Sequence, residues 1–135
     1  LLTVLQGLAN AGVKAAIGRP RPLDTLVEVL VSEHSNSFPS GHVMFYTVFF
    51  GFLAFLAYTR IPRSALRAAA LALCTGLVAL IGPSRIILGA HWLSDVLAAY
   101  LLGLIILAFG IEFYLRHLAP RSPAQQGGLA RELDR

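Results

Sequence analysis

Three stretches of this chain are long, apolar and nearly free of charge, and nothing else in the sequence limits its fold as much. They run from Val43 to Tyr58, from about Ala65 to Ile81, and from Trp92 to Leu115. A bilayer core about 30 Å thick needs roughly 20 helical residues, and all three come close to that. Lipid offers the backbone no hydrogen-bond partner, so a spanning segment must be a helix or part of a closed barrel. No stretch alternates apolar and polar residues with a period of two, which argues against barrel strands. The expected fold class is therefore all-α, a transmembrane helical bundle. Composition agrees. The residues AVILMFWYC make up 56% of the 135 positions and charged residues only 13%, where soluble domains carry about 25% charge. A water-soluble domain of this length has no interior large enough to hide so much apolar surface.

The remaining segments are shorter. Leu1–Val13 is apolar but too short to cross a bilayer, and neither an initiator Met nor a signal-peptide pattern precedes it. It reads as the tail of a helix, which makes the chain the C-terminal part of a longer bundle. Gly18–Ser40 is rich in Pro, Ser and charge. Within it Leu23, Leu26, Val27, Leu30 and Val31 repeat at helical spacing. They predict a short amphipathic helix, lying either at the membrane surface or against neighbouring protein. Asp24, Glu28 and Glu33 read as its solvated side. The sequence after Pro120 has no apolar period and is expected to be disordered. Residues 1–118 then form the membrane-embedded domain and 119–135 a cytoplasmic tail. Cys74 is the single cysteine and cannot form an internal disulfide; it reads as a small core or lipid-facing residue.

The net charge of +4 is read by position. No basic run with interleaved aromatics is present, so nucleic acid is not an expected partner. Arg60, Arg63 and Arg67 cluster between the first and second of the three long stretches, and Arg116 and Arg121 follow the last. Alternating helices place both groups on one side, and the positive-inside rule makes that side cytoplasmic. Lys14, Arg19, Arg21 and Arg85 then lie on the opposite side, against the rule. Cations there need another reason, and phosphate binding is one.

Three blocks at that end carry chemistry. The first is Lys14, six residues, then Arg21-Pro22. The second is Pro39-Ser40-Gly41-His42. The third is Ser84-Arg85, five residues, His91, three residues, Asp95. His91 and Asp95 stand at i, i+4, where a carboxylate can accept a proton from one imidazole nitrogen and leave the other as an outward lone pair. Taken alone, such a pair is an ordinary helix-stabilising contact; Arg85 and a second histidine tip the reading towards catalysis. His42 opens the first of the three long apolar stretches after Pro-Ser-Gly. Alone it would be a capping or interfacial residue. At a helix N-terminus, however, free amides near Ser40 and Gly41 can hold phosphate oxygens, and His42 can exchange protons with a leaving oxygen or with water. Lys14, Arg21 and Arg85 can share the charge of a transferring phosphoryl group.

Together the three blocks, in this order and spacing, resemble the signature of the type-2 phosphatidic acid phosphatase family over Lys14 to Asp95, with the helix pattern continuing to about Leu115. The resemblance implies a bundle of six helices in bacterial members. It also implies hydrolysis of a phosphomonoester or diphosphate through a phosphohistidine. Carried over by position, His91 is the nucleophile, Asp95 its orienter and His42 the general acid/base, while Lys14, Arg21, Ser40, Gly41 and Arg85 bind phosphate. No metal or cofactor is expected, since Asp95 is committed to His91. The substrate is expected to be a lipid phosphate, such as phosphatidic acid, phosphatidylglycerol phosphate or a polyprenyl diphosphate. The expected location is the plasma membrane, with the site facing the periplasm or cell exterior. Arg19 belongs to no block and reads as a lipid headgroup contact. His34 lies in a Ser/Asn stretch without an assigned role, and His117 falls at the cytoplasmic end. Rival readings are a lipid phosphotransferase on the same scaffold, a soluble haloperoxidase-like relative, against which the apolar helices argue, and a non-catalytic lipid-binding protein, against which both histidines argue.

Overall fold

The computed structural model describes residues 1–23, 29–30 and 35–119. These contain four α-helices: α1 (Leu2–Ile17), α2 (Gly41–Arg60), α3 (Ala65–Ile87) and α4 (Leu93–Phe113), the last running into a π-helical turn at Tyr114–Leu118. No strand occurs among the described residues. The spans Gly41–Arg60, Ala65–Ile87 and Leu93–Leu118 are each long and apolar enough to cross a membrane. Most of the expected amphipathic helix Leu23–Val31, and the whole tail from Pro120, lie outside the described residues.

Local chemistry sets the helix ends. α1 stops at Gly18, which takes the left-handed conformation (φ 62°) and donates its N–H to the Lys14 carbonyl at 3.0 Å, a glycine C-cap. Pro20 and Pro22 follow and keep the chain extended. Ser64 caps α3 by accepting the Arg67 N–H at 3.3 Å.

α2 is the central helix and packs against α1, α3 and α4. Val43 and Met44 of α2, Ile81 of α3, and Val96 and Ala99 of α4 form the core. The outward faces are as apolar as the core. Leu66, Leu73, Leu80 and Ile87 recur every seventh residue along α3, and all are exposed, as are Leu97, Leu101, Leu104 and Phe109 of α4. Such continuous apolar surface is untenable in water and suits contact with lipid tails.

α1 and α3 end, and α2 and α4 begin, at the same end of the bundle. At the other end the Arg60 guanidinium bonds the Tyr114 hydroxyl and lies 5.7 Å from its ring centroid, while Arg67 lies 5.5 Å from that of Tyr58. Aromatic and basic side chains at that level fit a membrane–water boundary.

Two helices are longer than the apolar pattern indicates. α1 continues past Val13 to Ile17, which puts Lys14 in its last turn. α3 continues through Pro83 to Ile87, so Ser84 and Arg85 lie on the helix and not in a loop. Pro83 has no N–H, which leaves the carbonyl four residues back, Ala79, without its helical donor. A side chain from α4 enters the helical ladder beside this break. The Tyr100 hydroxyl accepts the Gly82 N–H at 3.1 Å, donates to the Val78 carbonyl at 2.6 Å and lies 3.5 Å from the Ala79 carbonyl. A side chain inserted into the helical ladder is a recognised cause of kinks. A Cβ on Gly82 would sit 2.6 Å from the Tyr100 oxygen, so the approach needs glycine. Each bond contributes roughly 1 kcal/mol, and together they tie the Arg85 turn to α4.

Candidate active site

Segments after α1 and before α2 and α4 meet at Asp95, which is fully buried in the first turn of α4. Both carboxylate oxygens are engaged. Oδ1 accepts from Arg19 Nη1 at 2.8 Å. Oδ2 accepts the Trp92 backbone N–H at 2.9 Å and the Ser37 hydroxyl. The bond to Trp92 is half of a capping box, an acidic residue reaching back to the residue that precedes the helix. The Asp95 main-chain carbonyl also accepts the Ser40 N–H at 3.3 Å. One residue thus fastens the segment after α1 and the segment before α2 to the start of α4.

His91 is 3% exposed and lies before the helix, not on it. The expected i, i+4 pairing on one helical face is therefore not how the two residues meet; the turn at Ala90–Trp92 folds the ring back over Asp95. His91 Nδ1 lies 3.6 Å from Asp95 Oδ2 and 3.4 Å from Ser37 Oγ. His91 Nε2 lies 3.4 Å from Arg21 Nη1. A guanidinium can only donate, so this contact favours the ring form with the proton on Nδ1 and the lone pair on Nε2. The opposite nitrogen meets oxygen acceptors, which favours the same form. The arrangement presents a ring nitrogen bearing a lone pair next to a fixed cation.

Arg21 also donates to the Ala90 carbonyl at 2.7 Å, the Ser35 carbonyl at 2.7 Å and the Ser35 hydroxyl at 3.0 Å. The Ala90 N–H in turn reaches the Arg85 carbonyl at 3.1 Å, so Arg21, Ala90 and Arg85 form a continuous chain beside His91. The half-buried Arg85 side chain lies 3.5 Å from its neighbour's hydroxyl, Ser84 Oγ. Lys14 and Asn36 hold each other reciprocally, Nζ on the Asn36 carbonyl and the Asn36 amide on the Lys14 carbonyl at 2.9 Å.

Ser40, Gly41 and His42 open α2. Ser40 is fully buried, and its hydroxyl has no hydrogen-bond partner among the described residues. The close neighbour of Gly41 is protein: a Cβ there would lie 3.2 Å from Asn10 Oδ1, and the Asn10 amide donates to the Pro39 carbonyl at 3.3 Å. His42 is exposed in the first turn. His117 lies in the terminal π-helical turn, at the opposite end. Asp24, Glu28, Glu33 and His34 fall outside the described residues.

The sequence reading missed Arg19, Ser37 and Asn10. Arg19, read as a headgroup contact, bonds Asp95 and, at 2.6 Å, the Ser94 hydroxyl. Its place in an Arg-Pro-Arg-Pro run was the one available signal, since prolines fix the direction of both arginines. Trp92 strengthens that fixing by donating its indole N–H to the Pro20 carbonyl at 3.2 Å. Ser37 and Asn10 carried no local signal.

A bundle of apolar helices with basic and histidine side chains gathered at one end defines a class of membrane protein, and comparison places the chain within it. The chain belongs to the PAP2 superfamily, whose model matches residues 1–118. It is similar to phosphatidylglycerophosphatase B of Bacillus subtilis (strain 168), with 35% identity over 100 residues, 73% of this chain and 48% of that protein. It also resembles the crystal structure of a transmembrane PAP2-type phosphatidylglycerolphosphate phosphatase from Bacillus subtilis. That match has a TM-score of 0.77 and 30% identity, and covers 89% of this chain and 59% of the other. The chain therefore spans about half the length of the curated relative. It is a membrane protein of the PAP2 superfamily.

Proposed function

We propose that this chain carries the catalytic centre of a lipid phosphate phosphatase acting without a metal ion. The observation that carries the reading is His91, with Nδ1 turned to Ser37 and Asp95 and Nε2 beside the Arg21 guanidinium. In the first step Nε2 attacks phosphorus, the P–O bond to the lipid breaks, and His42 donates a proton to the leaving oxygen. In the second step His42 takes a proton from water, the resulting hydroxide attacks phosphorus, and the P–N bond breaks to free His91 and phosphate. Lys14, Arg21 and Arg85 stabilise charge on the phosphoryl oxygens. The Ser40 hydroxyl, without a partner among the described residues, and the α2 amides supply neutral donors. Metal independence is supported by the donor set, because both oxygens of Asp95 are already bonded and its neighbours are cations and hydroxyls. The two relatives, both phosphatidylglycerophosphate phosphatases by name, favour a phosphatidylglycerophosphate-type substrate.

The test is phosphate release by the purified protein over a panel of phosphatidic acid, phosphatidylglycerol phosphate and polyprenyl diphosphate in EDTA. Turnover of at least one lipid is expected, with inhibition by vanadate, which mimics the five-coordinate phosphoryl group. Activity lost in EDTA and restored by Mg²⁺ would sink the metal-free reading.

The proposed orientation puts this end of the bundle outside the cytoplasm, in the plasma membrane. It rests on Arg60, Arg63, Arg67 and Arg116 at the opposite end. In a Cys74→Ser background, Asn36→Cys should react with an impermeant maleimide in intact cells and Ser64→Cys should not. The reverse labelling pattern would move the site to the cytoplasmic face.

A further inference from the structure

Three residues from three separate segments close a hydrogen-bonded ring behind His91. Arg19 donates to Asp95 Oδ1 at 2.8 Å, Ser37 donates its hydroxyl proton to Asp95 Oδ2, and the Ser37 backbone N–H donates to the Arg19 carbonyl at 2.8 Å. Arg19 follows α1, Ser37 precedes α2 and Asp95 lies in the first turn of α4. Ser37 and Asp95 are both fully buried. We propose that Ser37 and Arg19 are positioning residues for His91, an inference that rests on reading His91 as the nucleophile.

The distances assign the two parts. His91 Nδ1 is nearer to Ser37 Oγ, at 3.4 Å, than to Asp95 Oδ2, at 3.6 Å. A direct imidazole–carboxylate bond at the longer distance is poor. Ser37 gives its single proton to the carboxylate and turns a lone pair towards Nδ1. A hydroxyl polarised by donating to a carboxylate is a stronger acceptor, so the orienting effect of Asp95 reaches the ring through Ser37. Arg19 acts one step further back. It pins Oδ1, bonds Ser94 Oγ at 2.6 Å and lies 5.8 Å from the Trp92 ring centroid. These contacts stop the carboxylate from rotating away from Ser37. Neither residue bears on the phosphate in this scheme, so the effect belongs to the chemical step and not to substrate binding.

The experiment measures kcat, KM and phosphoenzyme formation on phosphatidylglycerol phosphate for the full protein in detergent, with the unfolding midpoint recorded for each variant. Ser37→Ala and Arg19→Gln should each lower kcat by about 10- to 100-fold, the scale expected when a reacting group is slightly misplaced, while KM stays within about twofold. Arg19→Lys should recover most of the Arg19→Gln loss, because it restores a cationic donor to Oδ1. In an Asp95→Asn background Ser37→Ala should cost less than about threefold, the non-additivity of residues acting through one another. Fully multiplicative losses, or a raised KM with kcat preserved, would overturn the proposal. If Ser37→Ala or Arg19→Gln does not accumulate, Ser37→Cys and Arg19→Met carry the test: reduced kcat in the folded protein supports positioning, and wild-type kcat in both makes the ring structural only and overturns it. His91→Ala with turnover intact would sink the nucleophile reading itself. His91→Ala inactive beside Ser37→Ala at wild-type kcat would sink the ring alone.

Discussion

His91→Ala should reduce lipid phosphate release to background and remove the acid-labile phosphoenzyme. The expected loss is about 10⁴- to 10⁶-fold, the range seen when a nucleophile is deleted from a constellation that otherwise stays in place. The cations proposed to bind phosphate, Lys14, Arg21 and Arg85, remain in this variant, so lipid should still bind and protect the protein against heat. His42→Ala should behave differently, slowing both protonation of the leaving group and breakdown of the intermediate. With an activated leaving group only the second defect persists, and phosphoenzyme should accumulate. Rapid quench with radiolabelled lipid, followed by mapping of the labelled histidine, separates the two roles. Phosphate trapped on His42 in the wild-type protein would reverse the assignment.

Much of this molecule can be read from sequence because a bilayer is an undemanding solvent to predict from. Apolar length alone calls for the helices that appear as α2, α3 and α4, and the positions of the arginines separate the two ends of the bundle. The reading falls short where distant residues repair local defects. Gly82-Pro83 looks like a stop signal, yet α3 runs to Ile87, with the Tyr100 hydroxyl from another helix bonding the Gly82 N–H and the Val78 carbonyl beside the proline. The same holds at the site. His91, Asp95, Arg21 and the Ser40–His42 segment are visible as spaced blocks. Ser37 lies among polar residues with no periodicity, and only the fold shows that its hydroxyl reaches both His91 and Asp95. Arg19 and Arg21 are chemically alike and two residues apart, but the first is directed to the buried carboxylate and the second to the imidazole. Spacing puts both near the site and cannot choose between those destinations.

Asp95→Asn should lower the rate of phosphoenzyme formation by about 10⁴-fold, as loss of tautomer control does in a hydrolase triad, and should also weaken the fold. The reason lies in the donors around the carboxylate. Arg19 Nη1, the Trp92 N–H and the Ser37 hydroxyl all point at its two oxygens. An asparagine keeps the shape but turns one oxygen into an NH₂ group. In one orientation that group faces the Arg19 guanidinium, which cannot accept a hydrogen bond. In the other it faces the Trp92 N–H, which cannot accept one either, while the Ser37 hydroxyl rotates to receive it. The rotated hydroxyl then points its own proton towards His91 Nδ1, which favours a lone pair there and moves the ring proton to Nε2, where the nucleophilic pair should be. A donor facing a donor in a buried site costs about 1–3 kcal/mol. Asp95→Ala removes the acceptor from all three donors and should cost more, although Arg19, whose side chain is 36% exposed, can turn to water. Unfolding of the detergent-solubilised protein should therefore rank wild type above Asp95→Asn and Asp95→Ala last. Single-turnover phosphoenzyme formation should fall far more steeply in Asp95→Asn than its loss of stability accounts for. An Asp95→Asn protein that phosphorylates at the wild-type rate would show that the carboxylate only holds the helix start together, and that the imidazole takes its orientation from elsewhere.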